Sequence, residues 1–345
     1  MSDSEKRDEI YMRRALQLAL NGEGLTSPNP MVGAVITAPD GRIIGQGWHR
    51  RFGGPHAEVN AVESVSPADK PLLRQSTIYV TLEPCSHFGK TPPCAALLTR
   101  IGFRRAVVAC QDPNPKVSGR GLQMLREAGI EVTTGVCRPE AIELNRRFII
   151  AQTLHRPYIQ LKWAQTANGY IASNPHAPRL QISSPLSSVW MHRERGLADA
   201  IIIGSDTALS DRPRLTMRHW PGRDKLKAVA DRRRRVGLKA LFPDGDAIRL
   251  PDRPLYEAVQ ELASGHQIGS IMVEGGARIL QSFIRQSLFD EIRIEHSPVS
   301  IPDGIAAPEI SLPSGWIQRF TSVSGGIIIE TMLRPCSGTS HKVKN

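Results

Sequence analysis

The chain has 345 residues, 40% of them hydrophobic, with 29 Gly, 26 Pro and a formal charge of +11, and that length supports two domains with a core each. No apolar run reaches the ~18 residues of a membrane span and the opening Met1-Ser2-Asp3-Ser4-Glu5-Lys6-Arg7 is charged, so the expectation is a cytoplasmic protein with no membrane partner. An odd count of five cysteines points away from a disulfide framework, and basic residues dispersed except at Arg232 to Arg235, without interleaved aromatics, favour a small anionic ligand over nucleic acid.

Residues 8–20 carry Ile10, Ala15, Leu16, Ala19 and Leu20 at helical spacing, and Asn21-Gly22 supplies a stop. Residues 32–37 read as a strand that Pro39-Asp40-Gly41 turns into a second at 43–46. After Gly53-Gly54-Pro55, the apolar positions Ala57, Ala61, Val62 and Val65 predict a helix with His56 and Glu58 in its first turn. A β-branched strand at 77–81 runs into Pro84-Cys85, and Pro92-Pro93 precede a helix at 94–100 closed by Gly102. Strand 105–109, helix 122–128 and strand 130–136 complete an alternating α/β layer by residue 145 or so. Cys110 and Cys137 read as buried small hydrophobes.

The pattern restarts after Arg156-Pro157 with a strand at 158–161. Helix 184–195, strands 200–204 and 226–230, helix 255–263, strand 270–273, helix 277–286 and strand 291–296 follow. The stretch between Gly237 and Pro254 has no clear period, and from Pro335 the tail reads as disordered. The domains are accordingly set at 1–150 and 156–334, with 335–345 as the tail.

Chemistry concentrates at His56-Ala57-Glu58, Pro84-Cys85 and Cys94. One imidazole and two thiolates make a zinc set that leaves a coordination position open, and the nearby carboxylate remains free to move protons. The H-x-E…P-C order is the signature of zinc deaminases. In that chemistry Glu58 takes a proton from the attacking water and returns it to the leaving amine, which calls for a pKa near neutrality. Both clusters fall at helix N-termini, where the dipole and free N–H groups favour a thiolate. Eight residues, not two, separate Cys85 from Cys94, and the insert is polar, basic and stiffened by proline.

The chain resembles the bifunctional riboflavin-biosynthesis deaminase/reductases. The resemblance is carried by Met12-Arg13-Arg14-Ala15-Leu16, Thr26-Ser27-Pro28-Asn29-Pro30-Met31-Val32-Gly33-Ala34, the run from Thr81 to Cys94 including Ser86-His87-Phe88-Gly89-Lys90, and Asp112-Pro113-Asn114-Pro115-Lys116-Val117-Ser118-Gly119. It implies a cytidine-deaminase-like three-layer α/β/α domain that deaminates a diaminopyrimidinone carrying a phosphoribosylamino group. By position, His56, Cys85 and Cys94 hold zinc, Glu58 is the acid/base, and Asn29, His49, His87, Lys90 and Lys116 contact the base or sugar phosphate. The second half matches less tightly, through Ile159-Gln160-Leu161-Lys162-Trp163-Ala164, Asp211-Arg212-Pro213-Arg214-Leu215 and Val273-Glu274-Gly275-Gly276-Ala277.

That half implies a dihydrofolate-reductase-like α/β domain that reduces the ribosyl side chain to ribityl with NADPH. Ala164, Thr207, Asp211 and the Gly275-Gly276 turn fall on the cofactor side, and Arg195, Leu215, Arg218 and Glu274 on the substrate side. A Gly-Gly pair between strand and helix lets backbone amides approach a phosphate. The Arg232 to Arg235 run reads either as a solvated face or as a partner for the NADPH 2′-phosphate. Two departures from the family pattern, Asn168 and Arg212, bear on whether this half is active. The resemblance further implies a homo-oligomer, dimer or tetramer. The competing readings are a deaminase with a non-catalytic reductase-like half, and a deaminase that edits nucleic acid.

Overall fold

Residues 2–86, 92–114, 118–174, 180–243, 245–323 and 326–336 of the chain are described by a computed structural model. They form two compact units, Met1–Leu154 together with Cys336, and His155–Pro335.

The first unit runs α1 (Asp3–Leu20), β1 (Gly33–Thr37), β2 (Ile43–Trp48), α2 (Ala57–Glu63), β3 (Thr77–Val80), α3 (Cys94–Ile101), β4 (Arg105–Val108), α4 (Arg120–Glu127), β5 (Glu131–Thr134), α5 (Arg138–Leu144) and α6 (Arg146–Leu154). Helix α1 begins five residues before the apolar pattern does, because Ser2 and Glu5 close a capping box over the exposed first turn. The sheet has the order β2-β1-β3-β4-β5, with β1 antiparallel to β2 and β3 and the rest parallel. A Cβ on Gly33 would fall 1.9 Å from the Ala15 carbonyl oxygen of α1, and one on Gly47, opposite Ala34, would fall 2.3 Å from the Ala61 nitrogen of α2. Adjacent strand positions point to opposite faces, so α1 and α2 cover the two sides of the sheet. Ala34, Ile36, Ala57, Ala61, Ile78, Val80, Leu98 and Leu125 fill one core. Helices α5 and α6 were not expected from the pattern, which was taken to end near 145.

The second unit contains β6 (Tyr158–Gln165), β7 (Tyr170–Ser173), α7 (Pro185–Leu197), β8 (Ala200–Gly204), α8 (Ser205–Asp211), β9 (Leu226–Ala230), α9 (Leu238–Leu241), β10 (Ala247–Arg249), α10 (Leu255–His266), β11 (Ser270–Val273), α11 (Ala277–Arg285), β12 (Glu291–His296), β13 (Gly304–Ala306), β14 (Ile317–Val323) and β15 (Ile327–Leu333). Its sheet has the order β10-β9-β8-β11-β6-β12-β15-β14, parallel from β10 to β12 and antiparallel beyond, while β13 and β7 pair separately. Burial on both faces explains why β8 and β11 were legible as short apolar runs. Strand β6 extends four residues past its expected end, and the region without period between Gly237 and Pro254 holds only the one-turn α9 and the short β10. Strands β14 and β15 and helix α8 were not anticipated.

The tail was expected to be disordered from Pro335. Cys336 instead is 4% exposed within the first unit; 337–345 lie outside the described residues. Cys110 and Cys137 are buried, and none of the five cysteines is in a disulfide.

Candidate active sites

In the first unit the two helix starts deliver the cluster. His56 is the N-cap residue of α2, Glu58 sits in that helix's first turn, and Cys94 opens α3. The His56 Nδ1 lies 3.6 Å from the Cys85 Sγ and 3.4 Å from the Cys94 Sγ. A nitrogen and a sulfur sharing tetrahedral zinc stand about 3.6 Å apart, so the three donors are already spaced for the ion, with all ligand atoms within 4.8 Å of one another. The Cys94 N–H donates to the Cys85 Sγ at 3.2 Å. That contact belongs with the hydrogen bonds from the Cys94 thiol and His56 that pull Cys85 down to about 4, while sharing the proton with Cys85 pushes Cys94 up. Glu58 is 3% exposed, and burial pushes its carboxyl up to about 7.

Asn29 and His49 meet beside this cluster. The Asn29 Nδ2 is 3.2 Å from the His49 Nε2, and the His49 Nδ1 is 3.0 Å from the Pro55 carbonyl oxygen. A carbonyl only accepts, so Nδ1 carries the proton and Nε2 accepts from the Asn29 amide. Burial, and His56 nearby, lower the His49 pKa and keep that neutral tautomer. The Asn29 carboxamide oxygen is left facing away from this contact. His87, Lys90 and Lys116 lie outside the described residues.

Two supports escaped the sequence reading. Asn145 bonds both the N–H and the C=O of Met31, at 2.8 and 2.9 Å, and so anchors the loop carrying Asn29. Glu83 accepts the main-chain N–H groups of Gly119 and Gly121 at 2.9 Å and of Asp112 at 3.2 Å, tying the loop before α4 to the residue ahead of Pro84-Cys85. Each is a single polar residue whose partner lies about thirty or more residues away, which leaves no local pattern to read.

In the second unit a cleft of about 1550 Å³ opens where β8, β9 and β11 end. That exceeds the roughly 300–1,000 Å³ of a single small-molecule site, and parallel sheets bind ligands at the carboxyl ends of their strands. Ala164, Thr207, Asp211, Arg218, Glu274, Gly275 and Gly276 all line it. Arg195 does not line the cleft but grips Glu274 from behind, with bonds of 2.6 and 2.7 Å. Burial alone would raise the Glu274 carboxyl; Arg195 outweighs it and the pKa is lowered. Leu215, expected on the substrate side, is 2% exposed and packs with Ile201, Ile203 and Val229, so its side chain belongs to a core.

The Gly-Gly cradle also needs correction. The Gly276 N–H donates to the Thr207 Oγ1 at 2.7 Å, which commits that amide internally. The Gly275–Gly276 peptide is cis, Gly275 has φ +110°, and a Cβ on Gly276 would fall 2.9 Å from the Thr207 hydroxyl. One of the two departures acquires a physical reason. Asn168 donates to the Ile301 carbonyl at 2.6 Å and accepts from the Thr166 hydroxyl at 2.9 Å, a pairing that a carboxylate, which cannot donate, could not complete. Arg212 caps α8 at φ 43°, where asparagine and aspartate are tolerated best, and its side chain is exposed. Lys162, not singled out from the sequence, is buried in the cleft; burial lowers its pKa against the pull of Glu295 and Glu274.

Comparison with known proteins decides the family. Residues 5–110 match the model of the cytidine and deoxycytidylate deaminase zinc-binding region, and residues 157–305 match the RibD C-terminal domain. The chain is 38% identical to the riboflavin biosynthesis protein RibD of Aquifex aeolicus over 331 residues, 89% of this chain and 91% of that one. The chain belongs to the RibD family. The RibD of Bacillus amyloliquefaciens is 34% identical, covering 90% of this chain and 89% of its own. Among solved structures, Acinetobacter baumannii RibD superposes with a TM-score of 0.84 at 31% identity, over 96% of this chain and 99% of that chain. The Thermotoga maritima diaminohydroxyphosphoribosylaminopyrimidine deaminase/5-amino-6-(5-phosphoribosylamino)uracil reductase gives 0.83 at 32%, over 96% of this chain and 100% of that chain. RibD is a bifunctional enzyme of riboflavin biosynthesis, so this chain pairs a zinc-dependent deaminase domain with an NADPH-dependent reductase domain of mixed α/β architecture. No described helix is long and apolar enough to cross a membrane.

Proposed function

We propose that the first unit hydrolyses the exocyclic amine of 2,5-diamino-6-(5-phosphoribosylamino)pyrimidin-4-one and that the second reduces the ribosyl side chain of the product to ribityl. The observation that carries this is the spacing of His56, Cys85 and Cys94 beside a buried Glu58, in a chain whose second unit carries a large cleft. When bound, zinc supplies the Lewis acidity that makes water a nucleophile at neutral pH. His56, Cys85 and Cys94 hold the ion. Glu58, half protonated near pH 7, takes a proton from the attacking water and delivers it to the departing nitrogen, so that the C–N bond breaks, the amine leaves as ammonia and the oxygen of water stays on the ring as a carbonyl. Asn29, its amide fixed by the neutral His49, presents its oxygen to the pyrimidine edge; His87, Lys90 and Lys116 contact the base or the phosphoribosyl group.

In the second unit NADPH supplies hydride when bound. Ala164, Thr207, Asp211, Gly275 and Gly276 form the cofactor side, with Thr207 acting through the Gly276 amide. Arg218 and Glu274 face the substrate, Arg195 keeps Glu274 ionised, and Leu215 contributes main chain alone. Lys162, buried beside Glu274, is the candidate donor of the proton that accompanies hydride transfer. Thiolate ligands and NADPH chemistry support a reducing compartment such as the cytoplasm. The edge strand β14, with Gln318 to Ser322 exposed on both faces, supports a homo-oligomer.

Supplying the diaminopyrimidinone phosphate with and without NADPH, and identifying products by mass, tests both steps. A gain of about one mass unit reports exchange of amine for oxygen, and two further hydrogens report reduction. Glu58→Gln should abolish ammonia release, by about 10²-fold or more, with zinc content unchanged; normal turnover in that variant would remove the assignment of Glu58.

A further inference from the structure

We infer that a water-sized pocket beside the ligand cleft, walled by Glu295, Glu194 and Ser187 and sharing Lys162 with the cleft, is the route by which Lys162 regains its proton between turnovers; the inference rests on the reductase reading above, with Lys162 as proton donor. Two adjacent strands of the second sheet are apolar on one face and polar on the other. Ile159, Leu161 and Trp163 of β6, with Ile292 and Ile294 of β12, enter the core. The alternate positions point the other way. They are Tyr158, Gln160 and Lys162 on β6 and Glu291, Arg293 and Glu295 on β12, with Gln160 opposite Glu291 and Lys162 opposite Arg293. All but Arg293 are buried, and α7 adds the buried Ser187 and Glu194 to the same layer. Buried charges are less stabilising than apolar side chains of similar size, so packing alone does not account for this layer.

Hydrogen bonds tie the layer at both ends. At one, the Tyr158 hydroxyl and the Gln160 amide donate to Glu291 at 2.9 and 2.7 Å, and the same amide donates to Glu194 at 3.2 Å. At the other, Glu295 accepts from the hydroxyls of Ser187 at 2.7 Å and Ser183 at 3.1 Å. Lys162, Ser187, Glu194, Arg293 and Glu295 line a pocket of about 10 Å³. That is room for one water, and five polar side chains exceed the two to four partners such a water needs. Among the described residues Lys162 alone lines both this pocket and the cleft, and Ser183 is part of the cleft wall. Trp190, 40% exposed, completes the pocket with the Arg293 guanidinium 5.9 Å from its ring centroid, so solvent reaches this side without crossing the cleft.

Reduction of the ribosyl group adds a hydride, from NADPH, and a proton, from the Lys162 ammonium. The neutral amine left behind takes a proton from the pocket water as that water takes one from solvent on the Trp190 side, and the balance closes. Glu295 is a positioning residue in this scheme, held by two hydroxyls and acting through Lys162. Burial lowers the Lys162 pKa; Glu295 and then Glu274, at the end of β11, oppose that, while Arg195 of α7 and Arg293 of β12 add to it. Glu194 of α7 faces the lysine across the pocket. Loss of the Glu295 charge therefore leaves Lys162 neutral at a lower pH.

The test follows NADPH oxidation by the full-length zinc-loaded protein on substrate supplied already deaminated, across pH and in light and heavy water. Glu295→Gln keeps the size and an acceptor for one serine; it should move the basic limb of kcat to lower pH by about one unit with NADPH affinity unchanged. Glu295→Asp, which keeps the charge, should return the limb toward wild type. In ligand-free protein carrying ¹³C-labelled lysine, the Lys162 Cε signal, identified by its absence from Lys162→Met, should titrate lower in Glu295→Gln as well. Glu194→Gln leaves an oxygen for the Gln160 amide and should lower kcat by about tenfold with a larger solvent isotope effect. Glu291→Gln, in the layer but off the pocket, should leave the limb in place. An unmoved limb in Glu295→Gln, an equal movement in Glu291→Gln, or an unchanged rate in Glu194→Gln overturns the route. Full reduction by Lys162→Met removes the lysine as donor, and absence of reduction by wild type removes the reductase reading itself, outcomes distinct from the others.

Discussion

At the scale of single residues, the second unit keeps a buried histidine neutral. His192 lies on α7 three residues before Arg195, is 3% exposed, and its Nδ1 has no hydrogen-bond partner among the described residues. Burial, then Arg195, Arg218 and His219, lower its pKa to about 4, against the opposing charge of Glu274. The unfolded chain titrates this group near 6.5. Between those values the unfolded state binds the proton and the folded state does not, so stability is complete above about 6.5 and is lost as pH falls toward 4. His192→Gln should therefore flatten the acid limb of stability by up to one proton, about 1.4 kcal/mol per pH unit. Urea melts across that range measure the slope, and an unaltered slope would count against a neutral His192. The zinc ligands were legible because metal chemistry fixes residue types at short spacing. Lys162, Glu274 and Glu295 come from three strands, β6, the end of β11 and β12, with Lys162 over 100 residues from either glutamate in the chain, and only the fold brings them together.

At the scale of elements, glycine separates contacts that hold the site from positions that hold nothing. Gly47 lets β2 press against α2, the helix that begins at His56 and carries Glu58; a Cβ there would meet the Ala61 nitrogen at 2.3 Å and the Ala57 oxygen at 2.6 Å. Both are backbone atoms, so the helix must move as a body. Gly47→Ala should cost about 1–3 kcal/mol and lower zinc occupancy by shifting His56, read by thermal melts beside metal analysis. Gly265, inside α10, meets nothing within 4 Å. Gly265→Ala should instead stabilise by about 0.5–1 kcal/mol through the helix propensity it restores. A loss of stability there would show that α10 is packed more closely than its geometry indicates. The elements that periodicity found are those with a core on one or both faces. It missed α5 and α6, which follow directly on one another, and β14, where five consecutive exposed residues give no alternation to detect. It also missed α8, a seven-residue helix set by the strand before it.

At the scale of the whole molecule, the two chemistries rest on two separate interiors. Ile36, Ala61, Ile78 and Leu98 stand behind the zinc donors, while Ile159, Leu161, Ile202, Ile271 and Phe283 stand behind the reductase cleft, and no residue is shared. The division between two domains could be read from where the α/β pattern restarts at Tyr158, although the first unit extends through α6 to Leu154 and includes Cys336. An ion that binds only the folded first unit stabilises it by mass action, about 4 kcal/mol when present at a thousand times its dissociation constant. Dialysis against a chelator should therefore end ammonia release and lower the melting transition of the first unit. NADPH affinity and reduction of substrate supplied already deaminated should stay within about twofold, because none of the residues lining the cleft belongs to the zinc set. Restored zinc should return deamination without altering the second activity. Loss of NADPH binding along with the metal would mean that the two units do not hold their sites independently, and the assignment of one chemistry to each core would have to be abandoned.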